Sequence, residues 1–429
     1  MSGTTQDDYT DRYARRVRGM TTSEIRALFA VASRPEVVSL AGGSPYIAAL
    51  PLDAVGEMMG RLAAESGATT LQYGIGQGTI ELRERICEVM ELSGIKASPD
   101  DVVVTVGGQQ ALDLVARLFL DPGDVVLAEG PTYVGALGVF QAAQAQVRHV
   151  AMDADGLIPE ALEAAIREAG GRAKYLYTIP TFQNPAGVTL SEERREIVLD
   201  ICERHGLLVV EDDPYGTLSF EGDAPRPLRA RRRDGVLYLS TFSKTFAPGL
   251  RVGWILAPHA VREKLVMASE ANILCPSAFA QHAVTQYLST MPWREQIKSY
   301  REIYRERRDA MLDALEDLMP PGTTWTRPNG GLFVWATLPE GLDAKAMMPR
   351  AIAARVAYVP GTGFYADGTG TGHMRLNYSF PSPERIREGI RRLSGVMEQE
   401  LAMRAVFGPT TPHRRRGRAA ADTPGPDLA

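Results

Sequence analysis

"GVLYLSTFSKTFAPGLRVGWILAP" (235–258) holds two apolar runs, "VLYLSTFS" (236–243) and "VGWILAP" (252–258), joined by a short link. A run that is apolar without alternation reads as a strand buried on both faces. The link is too short for a helical crossover, so the second strand is expected to run antiparallel to the first. Upstream, the same kind of run recurs at "DVVVTVG" (101–107), "DVVLAEGP" (124–131), "KYLYTIP" (174–180) and "LLVVEDDP" (207–214). The first two precede the helical patterns "QQALDLVARLFL" and "TYVGALGVFQAA", and the third precedes "SEERREIVLDICERHG", where Ser191 and Arg194 frame a helix start. Strands alternating with helices predict a mostly parallel sheet covered on both faces, an α/β fold. Ligands in such sheets gather at the carboxyl ends of the strands, which is where the chemistry is sought.

From about Ala257 the pattern changes. "REQIKSYREIYRERRDAMLDALEDL" reads as one long amphipathic helix, "GGLFVWATL" (330–338) and "GHMRLNYSF" (372–380) as strands of a second sheet, and "SPERIREGIRRLSGVMEQELAM" as a closing helix. This predicts a smaller α+β domain over 291–407, beside a large domain over 49–290, with residues 1–48 as an arm joining the small one. Residues 408–429, rich in Pro, Arg and Ala without apolar period, are expected to be disordered. At 429 residues, more than one core is the expectation. The net charge of −5 creates no field favouring nucleic acid. No apolar run approaches the ~20 residues that span a bilayer, and "MSGTTQDDYTDRYARR" has no signal-peptide centre. Three separated cysteines (Cys87, Cys202, Cys275) suggest a reducing, cytoplasmic setting. The histidines show no paired ligand spacing, so no metal site is expected.

The opening stretch also poses a chemical question. Of the 47 basic residues only six are lysines, yet Lys244 ends a buried strand. A snorkelling surface lysine would account for it alone. Thr241 and Ser243 beside it can donate hydrogen bonds, and Arg251 supplies a permanently charged fork for an oxyanion. Nearby positive charge and burial lower an amine's pKa and make it a nucleophile. Lysine beside an oxyanion cluster suggests a Schiff base to a phosphorylated aldehyde, pyridoxal phosphate. That cofactor makes further demands. "TVGGQQALDLV" offers a strand, Gly107-Gly108, then Gln109 opening a helix whose free N–H groups face an anion, although a plain glycine turn would look the same. "VVEDDPY" ends a strand with Glu211, Asp212 and Asp213, one of which could face the pyridine nitrogen; a solvated turn is the alternative. Asn184 in "PTFQNPAG" can donate to the ring oxygen, and Tyr133 in "EGPTYVGAL" can cover the ring.

Taken in order, "SEIRALF", "SLAGGSP", "LQYGIGQG", "GGQQALDL", "PTYVGAL", "QNPAG", "EDDPYG", "STFSKTFAPGLRVGW" and "MRLNYSF" resemble the fold-type I pyridoxal-phosphate aminotransferases of class I/II. Within them the chain is most similar to the subgroup of 2-aminoadipate and kynurenine aminotransferases, from about Ser23 to Gln399. The resemblance implies a seven-stranded, mostly parallel large sheet with one antiparallel strand. It implies that Lys244 holds the cofactor and shuttles a proton, that Asp212 pairs the pyridine nitrogen, and that Tyr215 and Asn184 bond the ring oxygen. Tyr133 would stack on the ring. Gly108, Gln109, Thr241, Ser243 and Arg251 would hold the phosphate, and Tyr73 would reach the phosphate of a neighbouring subunit in a homodimer. Arg375 would clamp the substrate α-carboxylate with help from the Gly43 N–H. Gly108 stands where relatives often have serine, and Ser44 where the nearest often have leucine. The implied partners are an amino acid donor and a 2-oxo acid acceptor such as 2-oxoglutarate. Arg26, on the arm, either meets a distal substrate carboxylate or is a surface arginine. Two other readings belong beside this one. A transcription regulator with an aminotransferase-like domain would need a DNA-binding module, and the forty residues before "AGGSP" lack a helix-turn-helix pattern. A lyase, racemase or oxidase could use the same cofactor on the same fold.

Overall fold

The computed structural model describes residues 9, 12–17 and 34–407. The expectations for Arg26 and for residues 408–429 lie outside the described residues. In chain order the strands are β1 (Val38–Ser39), β2 (Val102–Thr105), β3 (Val125–Gly130), β4 (Gln146–Asp153), β5 (Gly156–Leu157), β6 (Ala173–Thr178), β7 (Leu208–Asp212), β8 (Val236–Thr241), β9 (Gly253–Leu256), β10 (Thr324–Trp325), β11 (Phe333–Thr337), β12 (Val356–Ala357), β13 (Val359–Pro360) and β14 (His373–Asn377).

The large sheet has the order β2-β9-β8-β7-β6-β3-β4-β5. Its centre is parallel from β8 to β4. β9 runs antiparallel to both β8 and β2, as the short link requires. The expected seven strands are therefore eight, with two antiparallel rather than one. The eighth, β5, is a two-residue strand that turns back onto β4 through Gly156, whose φ is +88°. It is too short to leave an apolar run in the sequence. Alternate residues of the buried strands feed two separate cores. Val126, Ala128, Tyr177, Val210 and Leu237 face one, while Val125, Leu127, Leu176, Val209 and Val236 face the other. Each face is covered by helices, which explains why these strands lack polar alternation.

The helix Gly107–Phe119 follows β2 directly and Val134–Ala142 follows β3. The helix Glu192–Arg204 begins at Ser191, whose side chain accepts from the Arg194 N–H at 3.4 Å, a side-chain N-cap. A second, antiparallel sheet has the order β10-β11-β14-β13. The long helices Trp293–Leu318 and Pro383–Phe407 pack against each other beside it. β1 pairs parallel with β12, so residues 38–39 lie against the C-terminal part of the chain. That pairing carries the following residues, 41–44, to the carboxyl edge of the large sheet. No helix among the described residues is long and apolar enough to cross a membrane.

Candidate active site

Strands β2, β3, β6, β7 and β8 all end toward one cavity of about 740 Å³. Its lining includes Gly43, Gly108, Gln109, Tyr133, Asn184, Asp212, Tyr215, Thr241, Ser243, Lys244, Arg251 and Arg375. All the expected site residues therefore meet except two. Arg26 is outside the described residues. Tyr73 is not in the lining, and it stands 77% exposed on the surface.

Lys244 follows β8, and its Nζ donates to the Gly43 carbonyl at 2.7 Å. Burial, then the positive charges of Arg375 and Arg251, bring its pKa down to about 8, against the pull of Asp212. Neutral amine is thus accessible near neutrality. Thr241 Oγ1 accepts from the Ser243 N–H at 3.1 Å, and Arg251 Nη1 donates to Ser243 Oγ at 3.3 Å. These groups face the first turn of the Gly107–Phe119 helix, whose leading N–H groups lack intrahelical acceptors. Glycine is required there. A Cβ on Gly107, where φ is +73°, would sit 2.3 Å from Arg251 Nη2. A Cβ on Gly108 would meet nothing within 4 Å, because it points into open space. Gln109 is turned aside, with Nε2 donating to Gly135 O at 2.8 Å and Oε1 accepting from Tyr133 OH at 3.3 Å.

The three acids at the end of β7, Glu211 and Asp212 within it and Asp213 just after, are sorted by strand alternation. Glu211 accepts from the Leu228 and Arg229 N–H groups, both at 2.8 Å. Asp213 accepts from Tyr238 OH at 3.0 Å and from the Gly216 N–H at 2.9 Å. Both also feel the positive charge of the buried Arg195. Asp212 alone lines the cavity. Its Oδ2 accepts from Tyr177 OH at 2.8 Å. Burial lifts its pKa to about 7. A buried carboxyl with one donor is short of a cation, and a protonated pyridine nitrogen is such a cation.

Arg375 comes from β14 of the second sheet. Its Nη1 donates to Asn184 Oδ1 at 2.9 Å and its Nη2 to Ala41 O at 2.9 Å. Its Nε is buried without a partner, and no carboxylate forms an ion pair with it among the described residues. The guanidinium lies 4.1 Å from the Phe333 ring centre and 5.1 Å from that of Phe364. Burial lowers its pKa to about 10. A buried cation with an unused donor and no acid is built to receive an anion. Asn184 Nδ2 lies 3.4 Å from Tyr215 OH, so these two form a pair at the same edge. Phe333 presses on residue 43, where a Cβ would come within 3.0 Å of the ring.

Sequence reasoning missed Tyr177, Phe333 and Phe364. Tyr177 sits inside the "KYLYTIP" strand and reads as core. Its signal is that the hydroxyl of a tyrosine in a fully buried strand usually finds an acceptor. Phe333 and Phe364 carry no local signal, because their relation to Arg375 arises only on folding. The cluster of oxyanion donors, a deprotonatable lysine and an unpaired acid fits pyridoxal phosphate.

Comparison with known proteins agrees with this geometry. Residues 35–393 match the family described as aminotransferase class I and II. The aromatic-amino-acid aminotransferase 1 of Thermococcus litoralis is 42% identical over 400 residues, covering 92% of this chain and 96% of the relative. The 2-aminoadipate transaminase of Thermus thermophilus is 38% identical over 386 residues, covering 89% and 95%. The structure of Pyrococcus horikoshii kynurenine aminotransferase, solved with PMP, superposes with a TM-score of 0.87 at 39% identity, covering 92% and 98%. The chain belongs to the class I and II aminotransferases. It is a pyridoxal-phosphate-dependent transaminase of the subgroup that holds the aromatic, kynurenine and 2-aminoadipate enzymes.

Proposed function

We propose that the protein moves the amino group of an L-amino acid to 2-oxoglutarate by a ping-pong sequence in one shared site. The observation that carries this is Arg375, a buried cation that among the described residues has a free Nε and no acid partner, in the same cavity as Lys244. When bound, pyridoxal phosphate supplies an electron sink for charge developing at the substrate α-carbon. Lys244 would anchor it, with Thr241, Ser243, Arg251, Gly108 and Gln109 at its phosphate, Asp212 at its ring nitrogen, Tyr215 and Asn184 at its ring oxygen and Tyr133 against its face. Arg375, assisted by the Gly43 N–H, holds the α-carboxylate of donor and acceptor in turn. This orients the α-hydrogen toward Lys244. The Lys244 amine removes that proton from the donor α-carbon and later returns one to the acceptor carbon. A pKa near 8 suits both directions. We further propose that Arg26 reads a distal carboxylate, and that the active unit is a homodimer. Leu71, Tyr73 and Ile75 are 72%, 77% and 64% exposed, an apolar strip that a second copy would cover. Three unpaired cysteines support a reducing, cytoplasmic setting.

The test is to incubate the purified protein with single L-amino acids and 2-oxoglutarate and to measure glutamate. The panel begins with the aromatic amino acids, kynurenine and 2-aminoadipate, after the named relatives. Glutamate formed with a subset of donors, and lost in Arg375→Ala, is the expected result. Consumption of a donor without glutamate would overturn the proposed acceptor.

A further inference from the structure

Resting on that reading, we propose that Tyr177 is a positioning residue that holds Asp212 ionised and aimed into the cavity. The placement comes from sheet register. β6 and β7 are parallel, and Tyr177 pairs with Val210. Side chains alternate along a strand, so Tyr177, Val210 and Asp212 share one face, with Asp212 the diagonal neighbour. A tyrosine is long enough to cover that diagonal, and its hydroxyl meets Asp212 Oδ2 at 2.8 Å. This fixes one carboxylate oxygen and leaves Oδ1 without a protein donor among the described residues.

The contact has a direction. Tyr177 is 0% exposed, and burial next to the Asp212 charge pushes its phenol well above the usual range, so it stays a donor at any working pH. A donor favours the carboxylate over the carboxyl and opposes the desolvation that lifts Asp212. The ring itself packs edge to face on Phe140, with centroids 5.6 Å apart. Phenylalanine would keep that packing and remove only the hydroxyl.

The strand also provides its own control. Tyr175 lies two residues earlier on the same face, packs on the same Phe140 at 6.1 Å, and is 1% exposed. Its hydroxyl has no partner among the described residues. One strand thus carries two buried tyrosines in similar packing, and only one reaches the acid.

The experiment is a double-mutant cycle on cofactor uptake. Holoprotein is stripped and titrated with pyridoxal phosphate, and the dissociation constant is read from tryptophan fluorescence. Tyr177→Phe should weaken uptake by roughly ten- to a hundredfold, the range for a hydrogen bond to a charged group. Tyr175→Phe should leave it unchanged. In an Asp212→Ala background, Tyr177→Phe should add nothing, because its effect passes through the carboxylate. Equal losses in both backgrounds, or an equal loss from Tyr175→Phe, would make Tyr177 a packing residue and overturn the inference. If the unmutated protein takes up no pyridoxal phosphate, the functional reading falls and this inference with it.

Discussion

Asp212, Lys244 and Arg375 line one cavity, and each is held in its less stable charge state or short of a counter-ion. Burying them costs stability that the fold recovers elsewhere. Asp212 shows the sign of this cost. Its pKa is about 7 in the folded chain against an ordinary 3.8, so between these values the folded state binds more protons than the unfolded. Stability contributed by the protonated form is therefore lost as pH rises from about 4 to 7. Asparagine does not titrate. In cofactor-free protein, the Tm of Asp212→Asn relative to the unmutated chain should climb across that window and then level off. A flat difference would mean the carboxyl is not desolvated. With cofactor bound, the same substitution should cut turnover by about a thousandfold if the ion pair supplies ~4 kcal/mol at the transition state. Asp213→Asn should do the reverse, sparing turnover and lowering Tm, because Asp213 accepts from Tyr238 and Gly216 rather than facing the cavity. At this scale the sequence named the three acids, but the choice of Asp212 rested on family resemblance. Alternation alone separates 212 from 211 and 213 without saying which side is the cavity. Tyr177 was illegible for a related reason, since its partner lies 35 positions away.

At the scale of elements, the strands were legible where they are buried on both faces and illegible at the sheet's edge. In β4 only Val150 is buried, so the strand shows no continuous apolar run, and residues 146–153 are absent from the runs that the sequence reveals. The junction of β2, β9 and the Gly107–Phe119 helix is the element contact the site depends on most. A Cβ on Gly253 would lie 2.8 Å from Gly107 C and 2.9 Å from both Gly108 N and Ser240 O. These are backbone atoms, so no rotamer relieves the contact, and the helix start must move. Gly253→Ala should destabilise the protein by roughly 1–3 kcal/mol. It should also weaken cofactor uptake, because the displaced N–H groups are those proposed above to meet the phosphate. Gly108→Ala, which meets open space, should change stability by less than about 1 kcal/mol. Thermal unfolding and cofactor titration of the two variants check both statements; unchanged uptake in Gly253→Ala would separate that helix start from the site.

For the whole molecule, the site exists because two sheets and the strip after β1 converge. The large sheet supplies Asp212 and Lys244, the second sheet supplies Arg375 and Phe333, and residues 41–44 close the gap with carbonyls that accept from both cations. The sequence separated the two sheets by their patterns, yet it gave no sign that Arg375 would reach Asn184 across 191 positions. Tyr73 is the one expected site residue among those described that a single chain leaves unexplained. A tyrosine 77% exposed beside exposed Leu71 and Ile75 is costly in water and sensible in an interface. If two copies pair symmetrically, each Tyr73 can serve the other's cavity. Mixing Tyr73→Phe chains with Lys244→Ala chains then gives hybrid dimers with one site carrying both lesions and one carrying neither. Random pairing of equal amounts makes about half the dimers hybrid, so about a quarter of the sites should be intact. Activity near that fraction of the unmutated enzyme, appearing only after subunit exchange, is the expected outcome. If both parents are inactive and the mixture stays inactive although exchange is demonstrated by mass, Tyr73 acts within its own chain or not at all.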